Sequence, residues 1–283
     1  MEQEVNHYYR EYTKGTMNRR EFIKLSSSLA GGAALALSLL ASEDASAQIT
    51  DPADSRLETN ELSYPTPKGN YKAYMARPKG AKKLPAVIVI HENTGLQPHI
   101  KDVARRIALE GFVALAPDVL SPFGGTPAEM EKTRPLFQQV NYDDAKAGFT
   151  AAVAYLKTNP LTTGKVGCTG FCWGGAMTNQ VAVNAPDLLA AVPYYGGQPA
   201  ADEVPRIKAE MVLHYAENDE RINAGIPAFE EALKKAGVRY TLYRYPGAGH
   251  AFNNDTNPGR YHEASAKLAW ERTIAFFKEK LAD

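Results

Sequence analysis

The run Gly170, Phe171, Cys172, Trp173, Gly174, Gly175 constrains this chain more than any other stretch. It closes the short run Lys165 to Gly170, read as a strand, and a helical pattern follows from Gly175 to Ala185. A cysteine there, with glycine two places before and two after, fits the G-x-S-x-G nucleophile elbow with sulfur in place of oxygen. Such a turn forces unusual backbone angles on its central residue, and the glycines let strand and helix pass closely. The thiol then faces the N-terminus of the next helix, where unpaired N–H groups and the dipole favour a thiolate and a developing oxyanion. The alternative is a core cysteine in a glycine-rich turn. The run alone leaves both readings open.

Sequence order adds a second constraint. In α/β-hydrolases the nucleophile is followed along the chain by an acid and then a histidine, each on a loop after a later strand. Met211 to Tyr215 reads as a strand leading into the loop that carries Asp219, and Tyr240 to Tyr245 as a strand leading to His250. Cys172, Asp219 and His250 stand in that order.

The rest of the chain from Leu57 alternates short apolar runs with helical patterns. This predicts an α/β fold: a mostly parallel sheet with helices on both faces. Strands are expected at Tyr71 to Arg77, after the turn Pro67 to Asn70, and at Pro85 to His91, Phe112 to Pro117 and Ala190 to Tyr195. The run through Val87, Ile88, Val89 and Ile90 is continuously apolar, as a strand buried on both sides requires. Helices are expected at Ile100 to Glu110, across Met130 to Leu156, at Ile226 to Lys235 and at His262 to Leu281. Ligands of such sheets bind beyond the carboxyl ends of the strands. That edge carries Cys172, Asp219, His250 and the segment after His91.

With 283 residues, 44% of them hydrophobic, the chain suffices for one large domain. Lys plus Arg and Asp plus Glu both number 32, which argues against a broad nucleic-acid surface. The two cysteines rule out a disulfide scaffold or a Cys-rich metal site. In an extended strand Cys168 and Cys172 lie up to about 13 Å apart, so both are expected as free thiols, Cys168 buried and inert. No H-E-x-x-H spacing occurs, and no metal is expected.

Residues 1 to 47 read as an export signal with an N-terminal extension, ahead of a single domain at 48 to 283. Arg19 and Arg20 precede a weakly apolar Ala/Gly/Ser-rich stretch, Leu25 to Ala41, and then the small-x-small site Ala45, Ser46, Ala47. This resembles a twin-arginine signal cleaved after Ala47. The stretch is short and poor in large apolar residues for a stable membrane span. The mature protein is then periplasmic or otherwise exported, and an unprocessed form would stay in the cytoplasm. Translation could start at Met1 or at Met17.

His91 to Gly95, with Glu92 and Asn93, follows the central strand where an oxyanion-hole N–H is supplied. The backbone N–H groups of Asn93 and Trp173 are the candidate donors. Glu92 is either a capping or surface residue or a partner of the thiol.

From Leu57 to Leu281 the chain resembles the dienelactone hydrolase (carboxymethylenebutenolidase) family. The resemblance rests on five blocks: His91 to Gly95 with Pro98 to Asp102, Ala116 to Asp118, Gly164 to Gly175, His214 to Ile222, and Pro246 to Phe252. It implies Cys172 as nucleophile, His250 as general base and acid, Asp219 as the residue orienting the imidazole, and Glu92 as a carboxylate contacting the thiol. The implied activity is cofactor-free hydrolysis of a small ester or lactone. Family members hold the substrate carboxylate with arginines, one of them four residues after the histidine, where this chain has Asn254. Arg134 and Arg260 are the candidate replacements. An amide does not replace a bidentate guanidinium clamp, so dienelactone itself is expected to be a poor substrate.

Tyr195 is a candidate substrate contact, and with Trp173 and Tyr194 is equally explained by packing. His91 and His214 are read as core residues or supports of the site, while His99 begins a helix beside it. Two alternatives remain: a thioesterase or amide-cleaving hydrolase on the same fold, and a non-catalytic binding protein or thiol sensor. The oligomeric state is not legible.

Overall fold

In the computed structural model the described residues are 2–13, 17–29, 31–33, 35–36 and 49–282. They form two compact units, one of residues 1–49 with 255–259 and one of 50–254 with 260–283. In the first, helices α1 (Glu2–Thr13) and α2 (Arg19–Ser27) pack through Val5 and Phe22, with Tyr12 stacked on Phe22. Asn18 caps α2 in a reciprocal capping box with Glu21. The expected cleavage site after Ala47 lies outside the described residues.

The second unit is built on one eight-stranded sheet in the order β1-β2-β4-β3-β5-β6-β7-β8. The strands are β1 (Leu57–Thr66), β2 (Gly69–Pro78), β3 (Leu84–Ile90), β4 (Val113–Pro117), β5 (Thr162–Phe171), β6 (Ala190–Tyr194), β7 (Glu210–Asn218) and β8 (Tyr240–Gly249). β1 and β2 form an antiparallel hairpin, and β2 also runs antiparallel to β4. The remaining pairs are parallel. The fold is therefore the expected α/β arrangement with an antiparallel edge.

Helices α3 (Pro98–Leu109), α4 (Met130–Phe137), α5 (Tyr142–Thr158), α6 (Trp173–Asn184), α7 (Glu220–Asn223), α8 (Ile226–Ala236) and α9 (Glu263–Lys280) complete the unit. β3 shows why both faces are needed. Ala86, Ile88 and Ile90 enter one buried cluster, with Phe149 of α5, Met177 of α6 and Phe229 of α8. Val87 and Val89 enter the opposite cluster, with Val103 and Ile107 of α3 and Phe277 of α9. A strand with no solvent face carries no polar alternation, which is why its sequence is continuously apolar. Each such large side chain contributes roughly 1.5–3 kcal/mol by its burial.

β1 is the strand the apolar pattern did not mark. Eight of its ten residues are not buried, and it is held at the sheet edge by pairing along β2 across the tight turn at residues 67 and 68. The expected strand at Tyr240 extends four residues further, to Gly249, which delivers His250 directly from the strand end.

The compact unit is tied down from Thr50 onward. The Thr50 N–H donates to the buried Asp102 carboxylate at 2.8 Å, and its carbonyl accepts from Arg105 Nε at 3.2 Å.

Candidate active site

The elbow takes the geometry its sequence calls for. Cys172 sits at φ 56°, ψ −114°, between β5 and α6, and its N–H donates to the Tyr194 carbonyl at 3.1 Å. A Cβ on Gly170 would collide with the Gly174 carbonyl, and one on Gly174 with the carbonyls of Ile90 and His91. Both glycines are thus required by the close approach of β3, β5 and α6. Cys168, four residues earlier, points into the core, and burial pushes its thiol up to about 12. Both cysteines are free.

β7 ends at Asn218 and places Asp219 at the start of the short helix α7. Asn223 braces this turn by donating to the carbonyls of Ala216 and Glu217 at 2.9 and 3.0 Å. His250 follows β8, and the residue after it, Ala251, is held at φ 67°. Two non-glycine residues beside the nucleophile position, Tyr195 and Ala251, therefore share with Cys172 a left-handed backbone that costs energy to maintain.

These three strand ends bring the triad candidates together. His250 Nδ1 lies 2.5 Å from Asp219 Oδ2, and His250 Nε2 lies 3.0 Å from Cys172 Sγ. A carboxylate only accepts, so Nδ1 carries the proton and Nε2 offers a lone pair to the thiol. The Asp219 side chain is 7% exposed and that of His250 21%, so the acid is shielded while the imidazole reaches the surface.

The thiol of Cys172 is held above its ordinary value, first by burial and then by the Glu92 carboxylate. The backbone N–H of Trp173 and the charge of Arg221 work in the opposite direction and do not outweigh them. The resting group is a protonated thiol hydrogen-bonded to an imidazole. Glu92 is fixed by Asn254, whose Nδ2 donates to Oε2 at 3.0 Å.

Tyr195 is fully buried, its ring 5.2 Å from that of His250. Trp173 stacks on His91 at 5.8 Å and packs edge-on against Phe137 at 5.0 Å. Arg134, on α4, and Arg260 are exposed. The cation whose charge reaches the Cys172 sulfur is Arg221. It had no role in the sequence reading, though its place two residues after Asp219 was the available signal.

His214 lies beneath the site in a directed chain of hydrogen bonds. Arg272 donates to Tyr245, whose hydroxyl bonds His214 Nδ1 at 2.8 Å, while Nε2 bonds Thr273, which donates to the Ala269 carbonyl. Burial lowers this imidazole to about 3, so it is neutral, and the protonated nitrogen is Nε2. Among the described residues no three His, Cys, Asp or Glu side chains converge as metal ligands. No helix among them is long and apolar enough to cross a membrane.

Comparison with known proteins matches the geometry to a family. Residues 71–281 match the model of the dienelactone hydrolase family. The chain is 34% identical over 281 residues to a provisionally named carboxymethylenebutenolidase of Methylorubrum extorquens, covering 93% of this chain and 94% of that one. A protein of the same provisional name from Salmonella typhi is 33% identical over 244 residues, covering 80% and 89%. Among solved structures, a provisionally named dienelactone hydrolase of Klebsiella pneumoniae superposes with a TM-score of 0.71 at 31% identity, covering 79% of this chain and 99% of that one. The chain belongs to the dienelactone hydrolase family, carboxylic ester hydrolases of the α/β-hydrolase fold.

Proposed function

We propose that the protein hydrolyses a small ester or lactone through a thioester acyl-enzyme on Cys172. The observation that carries this reading is the bridging imidazole, 2.5 Å from Asp219 and 3.0 Å from the sulfur. His250 Nε2 takes the thiol proton as sulfur attacks the carbonyl carbon, and the C=O π electrons move to oxygen. Asn93 and Trp173 offer their backbone N–H groups to that oxyanion. Collapse expels the alcohol oxygen, which takes the proton from Nε2–H. A water then gives its proton to Nε2 and attacks the thioester, and the second collapse releases the acid and returns the proton to sulfur.

The substrate in this reading is a compact ester whose binding does not depend on a two-arginine carboxylate clamp. Asn254 is already engaged with Glu92, and an amide offers no bidentate cation. A panel of chromogenic short-chain esters, lactones, thioesters and amides tests it with wild type and Cys172→Ala. Turnover of esters or lactones that disappears in Cys172→Ala supports the proposal. Ester turnover that survives in Cys172→Ala, or activity confined to amides, overturns it.

Independently of that chemistry, we propose that the protein is exported. The support is the Arg19, Arg20 pair ahead of the Ala45, Ser46, Ala47 site, and a folded body anchored from Thr50, three residues after that site.

A further inference from the structure

His91 is fully buried and lies outside the triad, yet it touches both parts of the candidate oxyanion hole. Its Nδ1 lies 2.6 Å from the Glu92 carbonyl, and its Nε2 accepts from the Val119 N–H at 3.2 Å. The second bond requires a lone pair on Nε2, so the proton is on Nδ1 and is donated to Glu92. Burial, which lowers the imidazole's affinity for a second proton, keeps it in this neutral form. One face of the ring stacks on Trp173 at 5.8 Å with 13° between planes.

The Glu92 carbonyl and the Asn93 N–H belong to the same peptide unit. The unit is trans, there being no cis bond among the described residues, so its C=O and N–H point in opposite directions. Fixing the carbonyl therefore fixes the direction of the N–H. Among the described residues the Asn93 N–H donates to no backbone carbonyl. The Glu92 carbonyl is held on its other side by the Gly95 N–H at 3.3 Å, a longer bond than that from His91. The Leu96 N–H donates to Thr126 Oγ1, which donates to the Asp118 carboxylate, so the far end of the loop is anchored separately. His91 is thus the shorter of two restraints on the peptide that presents the Asn93 donor, and it ties that peptide to the segment after β4.

We propose that His91 is a positioning residue for this reaction: its Nδ1–H aims the Asn93 N–H at the developing oxyanion, and its ring seats Trp173, which supplies the other donor. The proposal rests on the acyl-enzyme reading above. It separates His91 from the triad, because its Nδ1–H acts through the Asn93 donor, which serves only steps that build an oxyanion, while the ring that seats Trp173 is a separate contact.

Alkylation of Cys172 by iodoacetamide displaces iodide at a saturated carbon and builds no oxyanion, so it is the control reaction. His91→Phe retains a ring of similar size and loses the donor. Its ester kcat/KM should fall about 10- to 100-fold, less than the roughly 100- to 1,000-fold typical of deleting an oxyanion donor, because Gly95 still holds the carbonyl. Its alkylation rate should stay within about threefold of wild type, a margin far below that loss. His91→Asn places an amide N–H near the position of Nδ1 and should recover most of the turnover. His91→Gln places its amide near Nε2 and should not. Should His91→Phe fail to fold, the Asn and Gln pair decides alone.

Wild-type turnover in His91→Phe, a parallel fall in turnover and alkylation, or an Asn variant no better than the Gln variant each overturns the proposal. If Cys172→Ala and Asp219→Asn lose turnover while the His91 variants keep it, the triad stands and only the role of His91 falls. If Cys172→Ala keeps ester turnover, the acyl-enzyme reading and this proposal fall together.

Discussion

Asn254 donates its side-chain N–H to Glu92 Oε2 at 3.0 Å, across 162 residues of sequence. A neutral amide fixes the carboxylate in place without cancelling its charge, and that charge raises the Cys172 thiol, second only to burial. The thiolate is the oxidisable and alkylatable form. On the proposed mechanism, a carboxylate whose charge raises the thiol would keep it in the protonated form at rest.

Glu92→Gln removes the charge and retains the shape. The midpoint for iodoacetamide alkylation of Cys172 against pH should move down, so the variant reacts faster than wild type at neutral pH. Ester turnover should fall through slower activation of the thiol when substrate arrives. Unchanged alkylation together with unchanged turnover would reduce Glu92 to a structural residue.

Asp219→Asn replaces an acceptor with a group that can donate, and His250 loses the partner that keeps its proton on Nδ1. Turnover should fall by about 10³ to 10⁴ while the thermal midpoint changes little. His250→Gln should lose at least as much through the missing proton transfer. Ester kinetics beside a thermal melt check both, and wild-type rates in either variant would remove the triad.

Cys168→Ala should keep nearly full activity, because the thiol lies in the core facing Thr178, 3.8 Å from its hydroxyl. The small cavity should cost on the order of 1 kcal/mol. Mass mapping of native protein after iodoacetamide should find the label on Cys172, and on Cys168 only after unfolding.

Acid should destabilise the protein through His214. Its folded pKa of about 3 lies below its ordinary 6.5, so in that window the unfolded chain binds a proton that the folded one refuses. The contribution is fully present above pH 6.5 and is lost as pH falls toward 3, on the order of 1 kcal/mol per pH unit. Urea unfolding at several pH values should show a shallower acid slope in His214→Gln than in wild type. Equal slopes would contradict the assignment.

Export with cleavage after Ala47 gives a mature protein beginning at Gln48. Intact mass of natively expressed protein from the periplasmic fraction should start there, and Arg19→Lys with Arg20→Lys should leave the precursor in the cytoplasm. A cytoplasmic wild-type product retaining residues 17 to 47 would refute the signal.

The elbow was legible because its determinants are local. Gly170 relieves a clash with Gly174 four residues on, and a strand pattern enters while a helix pattern leaves; the contact of Gly174 with Ile90 and His91 is the part that depends on the sheet. β3 was legible because burial on both faces removes polar residues from its sequence. β1 was not, since an edge strand with mostly exposed side chains is specified by its pairing with β2 and carries little pattern of its own.

For the site, sequence order named Cys172, Asp219 and His250, the segment after β3 drew attention to Glu92, and the family resemblance implied a role for it beside the thiol. What only the tertiary structure decided is what each side chain meets. β5, β7 and β8 lie in sheet positions that converge His250 on a carboxylate 31 residues away and a thiol 78 residues away. The same packing gives Asn254 to Glu92, brings Arg221 rather than Arg134 or Arg260 within electrostatic reach of the sulfur, and fixes which nitrogen of His91 holds its proton. Backbone conformation follows from neighbours along the chain, so sequence pattern reports it. Hydrogen-bond partners and electrostatic environment follow from neighbours in space, which the sheet order and the packing of its helices determine.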